Sequence, residues 1–389
     1  MRTVTLPVAY MPLVDAAPLI VAQEMGFAES EAIALELIPA PSWSSLRDML
    51  SFGRVDAAHM LSVAPVAMGL GLGGMTTPLA AVSVLSVNGN VIGVGRVLQD
   101  RLRAQGYGFD FTDAFAAARA LKDAGQGKIT FGVPFPFSMH VELLRYWAER
   151  SPLGLDSVEV RTVPPPLMAE ALEAGDIDAF CVGEPWGSVA VDRGLGALLL
   201  PGQAIWQGAP EKVLAVRQDW AETEPDLLGR LMRAVWKSSR WLAQPNSHIA
   251  AAEILSRKGF LDLPSELIDR ALTGRMVISG QGEQRECPGF LRFQGAAASF
   301  PWRSQSAWIA DRLRLSHGVT GDLSGGINAF RADIYRQHMT RTDADLPGAS
   351  AKLEGALAHP TAVASTKGRL SLLPDRFFDG AIFDPDGAE

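Results

Sequence analysis

The stretches Leu46–Leu61 (LRDMLSFGRVDAAHML) and Met168–Val182 (MAEALEAGDIDAFCV) share one pattern: a helical segment, a glycine, and an Asp-Ala pair that leads into an apolar run. The glycines, Gly53 and Gly175, suit the left-handed conformation that ends a helix. The apolar runs after them are typical of parallel strands that are covered on both faces. Two units of this kind predict an α/β protein with two lobes of related design.

Helix-start signals follow both predicted strands, at Ser62–Pro65 (SVAP) and at Gly183–Trp186 (GEPW). Proline is favoured in the first turn of a helix, where no backbone hydrogen bond is lost. Helices that begin at the carboxyl ends of parallel strands turn their free N–H groups and the positive end of their dipole toward the crevice there. The pattern therefore indicates an edge suited to anions in each lobe.

The composition excludes several classes of protein. The chain has 389 residues, enough for two domains, and its 35 basic and 43 acidic residues give a formal charge of -8. This acidity argues against direct binding to nucleic acid, which needs a clustered basic face. The two cysteines, Cys181 and Cys287, are too few for a disulfide framework and lack the spacing of a metal site. We expect both to be buried thiols.

The start of the chain is typical of a strand and not of a targeting segment. Met1–Thr3 leads directly into Val4–Tyr10 (VTLPVAY), which alternates as a strand does, without a cationic region, an apolar signal core or a cleavage site. No later segment is long and apolar enough to span a bilayer. We therefore expect a cytoplasmic protein, although a chain trimmed of its export signal would have the same start.

Gly69–Gly74 (GLGLGG) matches the G-x-G-x-x-G pattern of dinucleotide-binding loops, but its context is reversed. Such a loop follows a strand and opens a helix. Here the motif closes a predicted helix over 63–68 and precedes a predicted strand over 79–84, so we interpret it as a turn. Zinc-protease, nucleophile-elbow, phosphate-loop and calcium-loop motifs are also missing. The sequence therefore predicts a binding protein without a cofactor, and not an enzyme.

Five residues next to predicted turns or strand ends are candidates for a ligand site: Trp43, Asn90, His140, Gly183 and Lys212. Taken singly each has a structural explanation, such as packing for Trp43 or solvation for Lys212. Together they supply an indole N–H, a side-chain amide, an imidazole, a backbone amide and an ammonium. These are the donors that a small planar oxyanion needs.

At these positions the chain resembles the nitrate-binding proteins of bacterial ABC importers, together with their bicarbonate-binding and cytoplasmic sensor relatives. The resemblance runs from Thr3 to Arg312. Its most specific strings are Asp15–Leu19 (DAAPL), Ser42–Trp43 (SW), Asp56–Leu61 (DAAHML), Val87–Asn90 (VNGN), Cys181–Trp186 (CVGEPW) and Pro210–Lys212 (PEK). The family implies a two-lobed α/β fold, the periplasmic-binding-protein fold of type II, with the ligand in the cleft between the lobes.

The resemblance implies that Trp43, Asn90, His140, Gly183 and Lys212 contact the ligand. Transporter-type nitrate binders have a glutamine where this chain has Asn90, so the shorter amide must reach the anion differently. Lys212 matches the nitrate binders, whereas the bicarbonate-binding relatives are acidic there and use a calcium ion. The resemblance therefore implies nitrate or nitrite as the ligand, with Lys212 as its main positive charge and without a metal.

The predicted lobe boundaries are 1–90 and 212–389 for lobe 1, with a C-terminal helical extension, and 91–211 for lobe 2.

The start of the chain matches the sensor branch of the family, in which a cytoplasmic nitrate/nitrite sensor holds an ANTAR-type RNA-binding antiterminator that controls nitrate assimilation genes. The alternative is the solute-binding component of a nitrate importer that has lost its export signal. A third hypothesis, a thiamine-pyrimidine synthase of the same fold, needs a cysteine-rich stretch, which two isolated cysteines do not provide.

Overall fold

The computed structural model describes residues 3–74 and 76–387, which form two large sheets flanked by helices and two small sheets of two strands each. The strands are β1 (Val4–Tyr10), β2 (Ile33–Pro39), β3 (Ala57–Leu61), β4 (Leu79–Asn88), β5 (Asn90–Gly95), β6 (Ile129–Val133), β7 (Val158–Thr162), β8 (Ala179–Gly183), β9 (Gly196–Pro201), β10 (Pro210–Arg217), β11 (Arg275–Val277), β12 (Gln284–Glu286), β13 (Leu291–Arg292), β14 (Thr361–Ala362) and β15 (Ser371–Leu372). The α-helices are α1 (Ala17–Glu24), α2 (Trp43–Ser51), α3 (Val63–Gly69), α4 (Arg96–Ala104), α5 (Ala114–Ala124), α6 (Met139–Arg150), α7 (Met168–Glu173), α8 (Trp186–Asp192), α9 (Gln218–Thr223), α10 (Pro225–Leu242), α11 (His248–Leu255), α12 (Ser265–Thr273), α13 (Arg303–His317), α14 (Ser324–Ile327) and α15 (Ala332–Met339).

The first lobe is built on a six-stranded sheet with the order β13-β4-β10-β3-β1-β2. Strands β2, β1 and β3 are parallel, and β1 pairs with β2 from Val4 opposite Ile33 to Tyr10 opposite Pro39. The remaining pairs, from β3 to β10, from β10 to β4 and from β4 to β13, are antiparallel. Strand β3 is buried along its whole length, as expected for a strand covered on both faces.

The second lobe is built on a five-stranded sheet with the order β7-β6-β8-β5-β9. Strands β7, β6 and β8 are parallel, and β5 is antiparallel to both of its neighbours. Strand β8 follows α7 and the left-handed Gly175 (φ +74°), just as β3 follows α2 and the left-handed Gly53 (φ +71°). The repeated helix, glycine and strand are therefore confirmed in both lobes.

The chain passes between the two sheets twice. Strand β4 leads through Gly89 directly into β5, and β9 leads back to β10. Gly89 has φ +96°, and a Cβ built on it would lie 2.7 Å from Leu291 Cδ1, so the first crossing depends on a glycine. Beside it, the Asn88 amide donates hydrogen bonds to the carbonyls of Gln207 and Gly289, each at 3.2 Å. The candidate site lies at these crossings.

The chain after β10 contacts both lobes. Helix α10 packs on α1 of the first lobe. Near the C-terminus, Phe377 stacks on Trp206 with ring centroids 4.8 Å apart, and the Tyr146 hydroxyl on α6 donates to the Asp379 carboxylate at 3.0 Å. The docking of the tail through its phenylalanines is confirmed. The segment 212–389, predicted as part of lobe 1, is thus joined to lobe 2 as well.

Smaller sequence predictions also agree with the structure. Helix α3 ends at Gly69, and Gly71 and Gly73 are left-handed, so the G-x-G-x-x-G motif is a turn. Cys181 and Cys287 are buried free thiols. Among residues 3–74 and 76–387, no helix has the length and apolar character needed to cross a membrane.

Candidate functional site

Two of the five predicted ligand residues lie in the first turn of a helix. Trp43 is the first residue of α2, and the Ser42 hydroxyl before it accepts a hydrogen bond from the Ser45 backbone N–H at 3.2 Å. His140 is the second residue of α6, which Ser138 caps in the same way. Caps of this kind fix the start of a helix. The local sequence therefore positions both side chains at a helix N-terminus.

The other three residues lie on strands beside the lobe crossings. Asn90 begins β5, Gly183 ends β8, and the two residues are opposite each other in the antiparallel pair. Lys212 lies on β10, which returns the chain to the first lobe. The five residues thus come from both lobes and from the point at which the lobes join.

The structure brings the five residues together in a closed, buried cluster. The Nζ of Lys212 lies 5.5 Å from the centroid of the Trp43 ring. A Cβ built on Gly183 would lie 3.9 Å from Nε2 of His140. The side chains of Trp43, Asn90, His140 and Lys212 are at most 2% exposed, so bulk solvent does not screen the charges in the cluster.

Two carboxylates outside the predicted set share the site with Lys212. The Lys212 ammonium lies 2.8 Å from Asp15 Oδ2 and 2.9 Å from Glu211 Oε1. Burial opposes ionisation, but the opposite charges outweigh it: they raise the pKa of Lys212 and hold the pKa of Asp15 well below its usual range. The positive charge of Lys212, predicted as the main charge for the anion, is therefore paired with two carboxylates in this structure.

Glu211 also connects the two lobes. Its Oε2 accepts a hydrogen bond from the Asn90 amide at 2.6 Å, and its Oε1 lies 3.3 Å from Nδ1 of His140. Burial lowers the pKa of His140 to about 4, so the imidazole is neutral at neutral pH in this state. One carboxylate of the first lobe thus holds the Asn90 side chain by a hydrogen bond and lies beside the His140 ring, whose Nδ1 makes no hydrogen bond among the described residues.

Asp15 is in turn oriented by His59. Nδ1 of His59 accepts a hydrogen bond from the Met11 backbone N–H at 3.4 Å, and its Nε2 lies 3.0 Å from Asp15 Oδ1. An acceptor role for Nδ1 places the proton of a neutral ring on Nε2, the nitrogen that faces the carboxylate. Burial lowers the pKa of His59, which favours this neutral form. The Trp43 ring packs beside it, with centroids 5.7 Å apart.

Several buried polar atoms in the cluster have no hydrogen-bond partner among the described residues: Nε1 of Trp43, both ring nitrogens of His140 and Oδ1 of Asn90. Buried polar atoms rarely stay unpaired, so these atoms leave a place with donors and acceptors free for a small polar ligand. The glycine at position 183 keeps that place open, since a Cβ there would lie 3.3 Å from Leu13 Cδ2 and 3.8 Å from Asp15 Oδ2.

The predicted site did not include the carboxylates of Asp15 and Glu211, although the sequence indicated them in part. Both lie in strings that carried the family resemblance, DAAPL for Asp15 and PEK for Glu211. Regular alternation along a strand predicts that Glu211 and Lys212 point to opposite faces. The pairing of β10 with β4 is irregular between Pro210 and Lys212, and an irregularity of this kind changes the direction of side chains. Sequence spacing alone does not reveal it.

Two direct hydrogen bonds close the lobes over the cluster. The backbone N–H of Val14, in the first lobe, donates to the Glu184 carbonyl of the second lobe at 2.9 Å. The indole Nε1 of Trp186 donates to the Pro12 carbonyl, also at 2.9 Å. These bonds exist only when the lobes are together, so they stabilise the closed form.

Comparison with known proteins shows relatives along the whole chain. Residues 2–256 match the model of the NMT1-like family. The nitrate/nitrite binding protein NrtA of Nostoc is 29% identical over 395 residues, which cover 100% of this chain and 84% of that protein. The bicarbonate transport ATP-binding protein CmpC of Synechococcus elongatus is 32% identical over 80% of this chain. The chain spans less than half of that relative, 45% of its length.

A solved structure extends the comparison to the fold. The crystal structure of the periplasmic nitrate-binding protein NrtA from Synechocystis is similar with a TM-score of 0.83 at 25% identity, and the match covers 99% of this chain and 96% of that one. The predicted two-lobed α/β fold of periplasmic binding proteins is therefore confirmed. Since the family model matches more than half of its residues, this chain belongs to the NMT1-like family.

Proposed function

We propose that this protein binds a small monovalent oxyanion, nitrate or nitrite, between its two lobes. The proposal depends on one observation: Nε1 of Trp43 and Nε2 of His140, from opposite lobes, are buried without partners beside Lys212. The names of two similar proteins, which are nitrate or nitrite binders, support this ligand class. The proposed contacts are Trp43, Asn90, His140, Gly183 and Lys212.

Isothermal titration calorimetry with nitrate, nitrite, bicarbonate and sulfate tests the ligand. Bicarbonate is measured with and without calcium, because one similar protein is named for bicarbonate transport. We expect nitrate or nitrite to bind, and sulfate, with its second negative charge, to be rejected. Binding of bicarbonate in place of nitrate and nitrite would show that the ligand is assigned wrongly.

A conservative variant tests the position of the ligand. Trp43→Phe keeps an aromatic ring at the start of α2 but removes the indole donor, so we expect nitrate affinity to fall by about tenfold, the effect of one lost hydrogen bond. The control is Trp241→Phe on α10, which removes an indole from a half-buried position of the first lobe. Equal nitrate affinity in the two variants would place the ligand elsewhere.

For the role in the cell, we propose the solute-binding component of an ABC importer. The similar proteins support it: one is named as a transport ATP-binding protein and others as nitrate-binding proteins. They favour the importer over the sensor with an ANTAR antiterminator as partner and a cytoplasmic location, which rests on the family resemblance alone. In both roles the ligand acts by closing the lobes, because both lobes contact it only in the closed form.

One pair of binding assays separates these two roles. As an importer component, the nitrate-loaded protein stimulates the ATPase of its permease complex in liposomes, and the empty protein does not. As a sensor, the empty protein binds the antiterminator, and nitrate dissociates the complex. The antiterminator then weakens nitrate binding by the same factor by which nitrate weakens binding of the antiterminator. A complex with the antiterminator that persists at saturating nitrate and nitrite removes the sensor role.

A further inference from the structure

The charge of the buried cluster does not match a simple anion site. Two buried carboxylates, Asp15 and Glu211, contact one buried ammonium, Lys212, so the three groups carry one negative charge in excess. An added monoanion would bring this excess to two, in a space closed to bulk solvent. Unpaired buried charge is strongly unfavourable. Anion binding therefore requires one more positive charge in the cluster.

His140 is the group placed to supply that charge. Its Nδ1 lies 3.3 Å from Glu211 Oε1, although neither ring nitrogen has a hydrogen-bond partner among the described residues. The nearby carboxylate favours the neutral tautomer with its proton on Nδ1, which has a lone pair on Nε2. Nε2 has no partner among the described residues and lies next to Gly183, where the ligand space is open. A lone pair there repels an anion. The other neutral tautomer would turn a lone pair toward the Glu211 carboxylate. Only the imidazolium donates both to Glu211 and to an anion.

We propose that this protein binds its anion together with one proton, which comes from solvent and is held on Nε2 of His140, where the new N–H donates to the anion. The inference rests on the proposed function and deepens it, because it assigns the charge balance of the site to the His140–Glu211 pair. Nitrate is the conjugate base of a strong acid and does not hold the proton itself. The proton therefore stays on the protein.

The groups around His140 are consistent with this assignment. Strand β10 contributes Glu211 and Lys212, and the turn before α1 contributes Asp15. Strand β8 contributes Cys181, whose thiol stays neutral because burial raises its pKa. In the empty site, burial lowers the pKa of His140 to about 4, so the ring is neutral until an anion arrives. The anion then raises that pKa by stabilising the imidazolium.

Calorimetric titration with nitrate, in buffers of low and of high ionisation enthalpy, counts the protons taken up. Between the pKa of His140 in the empty site, about 4, and its higher pKa in the complex, we expect about one proton per nitrate and an affinity that falls roughly tenfold for each pH unit. The titrations are made between about pH 6 and pH 9, a range chosen because the charge of histidine changes near neutral pH. Nitrate binding without proton uptake in that range overturns this inference and leaves the proposed function intact. Failure to bind nitrate or nitrite at any pH overturns both.

The variant Glu211→Gln tests whether the His140–Glu211 pair holds the proton. The neutral amide removes one negative charge from the cluster, so an anion beside Lys212 no longer needs an imidazolium to balance it. We expect nitrate to bind without proton uptake and with an affinity that does not change with pH. The control is Glu159→Gln on the exposed surface of β7, which keeps the proton count of the unchanged protein. Uptake of one proton by Glu211→Gln would show that the His140–Glu211 pair does not hold it. Should the variant not fold, the proton count of the unchanged protein still decides.

Discussion

Lys212 stabilises the folded chain as well as the site, because it is the cation between Asp15 and Glu211. Lys212→Met leaves both carboxylates buried without it, and breaking a buried ion pair in this way costs about 3–5 kcal/mol. We expect that loss of unfolding free energy in urea at neutral pH, together with loss of nitrate binding. Lys122→Met, on the exposed surface of α5, is the control and should change neither quantity.

The pH dependence of that loss follows from the lowered pKa of Asp15. A carboxyl whose pKa is lower in the folded state than in the unfolded state stabilises the fold above its unfolded pKa, and this contribution disappears as the pH falls through the folded pKa. Lys212→Met removes the main cause of the lowering. The stability difference between Lys212→Met and the unchanged protein should therefore shrink as the pH is lowered toward the acid range. A difference that grows on acidification would contradict this account of Asp15.

Gly183 limits the size of the ligand. In Gly183→Ala the added methyl would lie 3.9 Å from Nε2 of His140 and 3.3 Å from Leu13, inside the space that the unpaired donors surround. We expect nitrate affinity to fall at least tenfold, by calorimetry, while the unfolding free energy falls by about 1–3 kcal/mol, the usual cost of an added methyl in a packed interior. Gly108→Ala is the matched control, since its Cβ meets open space. Unchanged affinity in Gly183→Ala would place the ligand away from β8.

At the scale of the elements, the C-terminal tail is a structural part of the protein. The Phe377 ring is 3% exposed and stacks against both Trp206 and Trp308, with centroids 4.8 Å and 5.8 Å away. Phe377→Ala leaves a cavity among these rings, and a buried phenylalanine truncated in this way costs about 3–5 kcal/mol. Denaturant unfolding measures the loss. Ile382→Ala, at a residue 59% exposed, should be close to neutral; equal stability of the two variants would mean that the tail does not support the lobes.

At the scale of the whole molecule, closure of the lobes depends on few direct bonds. Trp186→Phe removes the indole that donates to the Pro12 carbonyl across the cleft at 2.9 Å. A hydrogen bond of this kind is worth about 1 kcal/mol, so we expect nitrate affinity to fall about fivefold, through faster release. Stopped-flow release of nitrate measures it, with Trp241→Phe as the control. Unchanged release would show that this bond does not stabilise the closed form.

The sequence by itself determined the local structure and the two-lobed design. Gly53 and Gly175 end their helices because the left-handed conformation is accessible to glycine, and the apolar runs after them become buried strands. These are effects of neighbouring residues, so the pattern of residues is enough to predict them. The family resemblance added the five candidate ligand residues, and the structure places them in one cluster.

Only the tertiary structure decided the electrostatics of that cluster. Asp15 and Lys212 are almost two hundred positions apart and meet because β1 and β10 both border β3. Glu211 joins them at a place where the pairing of β10 is irregular, contrary to the alternation that a strand predicts. How far the charge of a buried lysine is balanced depends on which groups lie within a few ångströms, in a medium of low dielectric constant. Sequence spacing does not encode those distances. For that reason the charge pattern of the site, and the proton that we infer to balance it, follow from the fold.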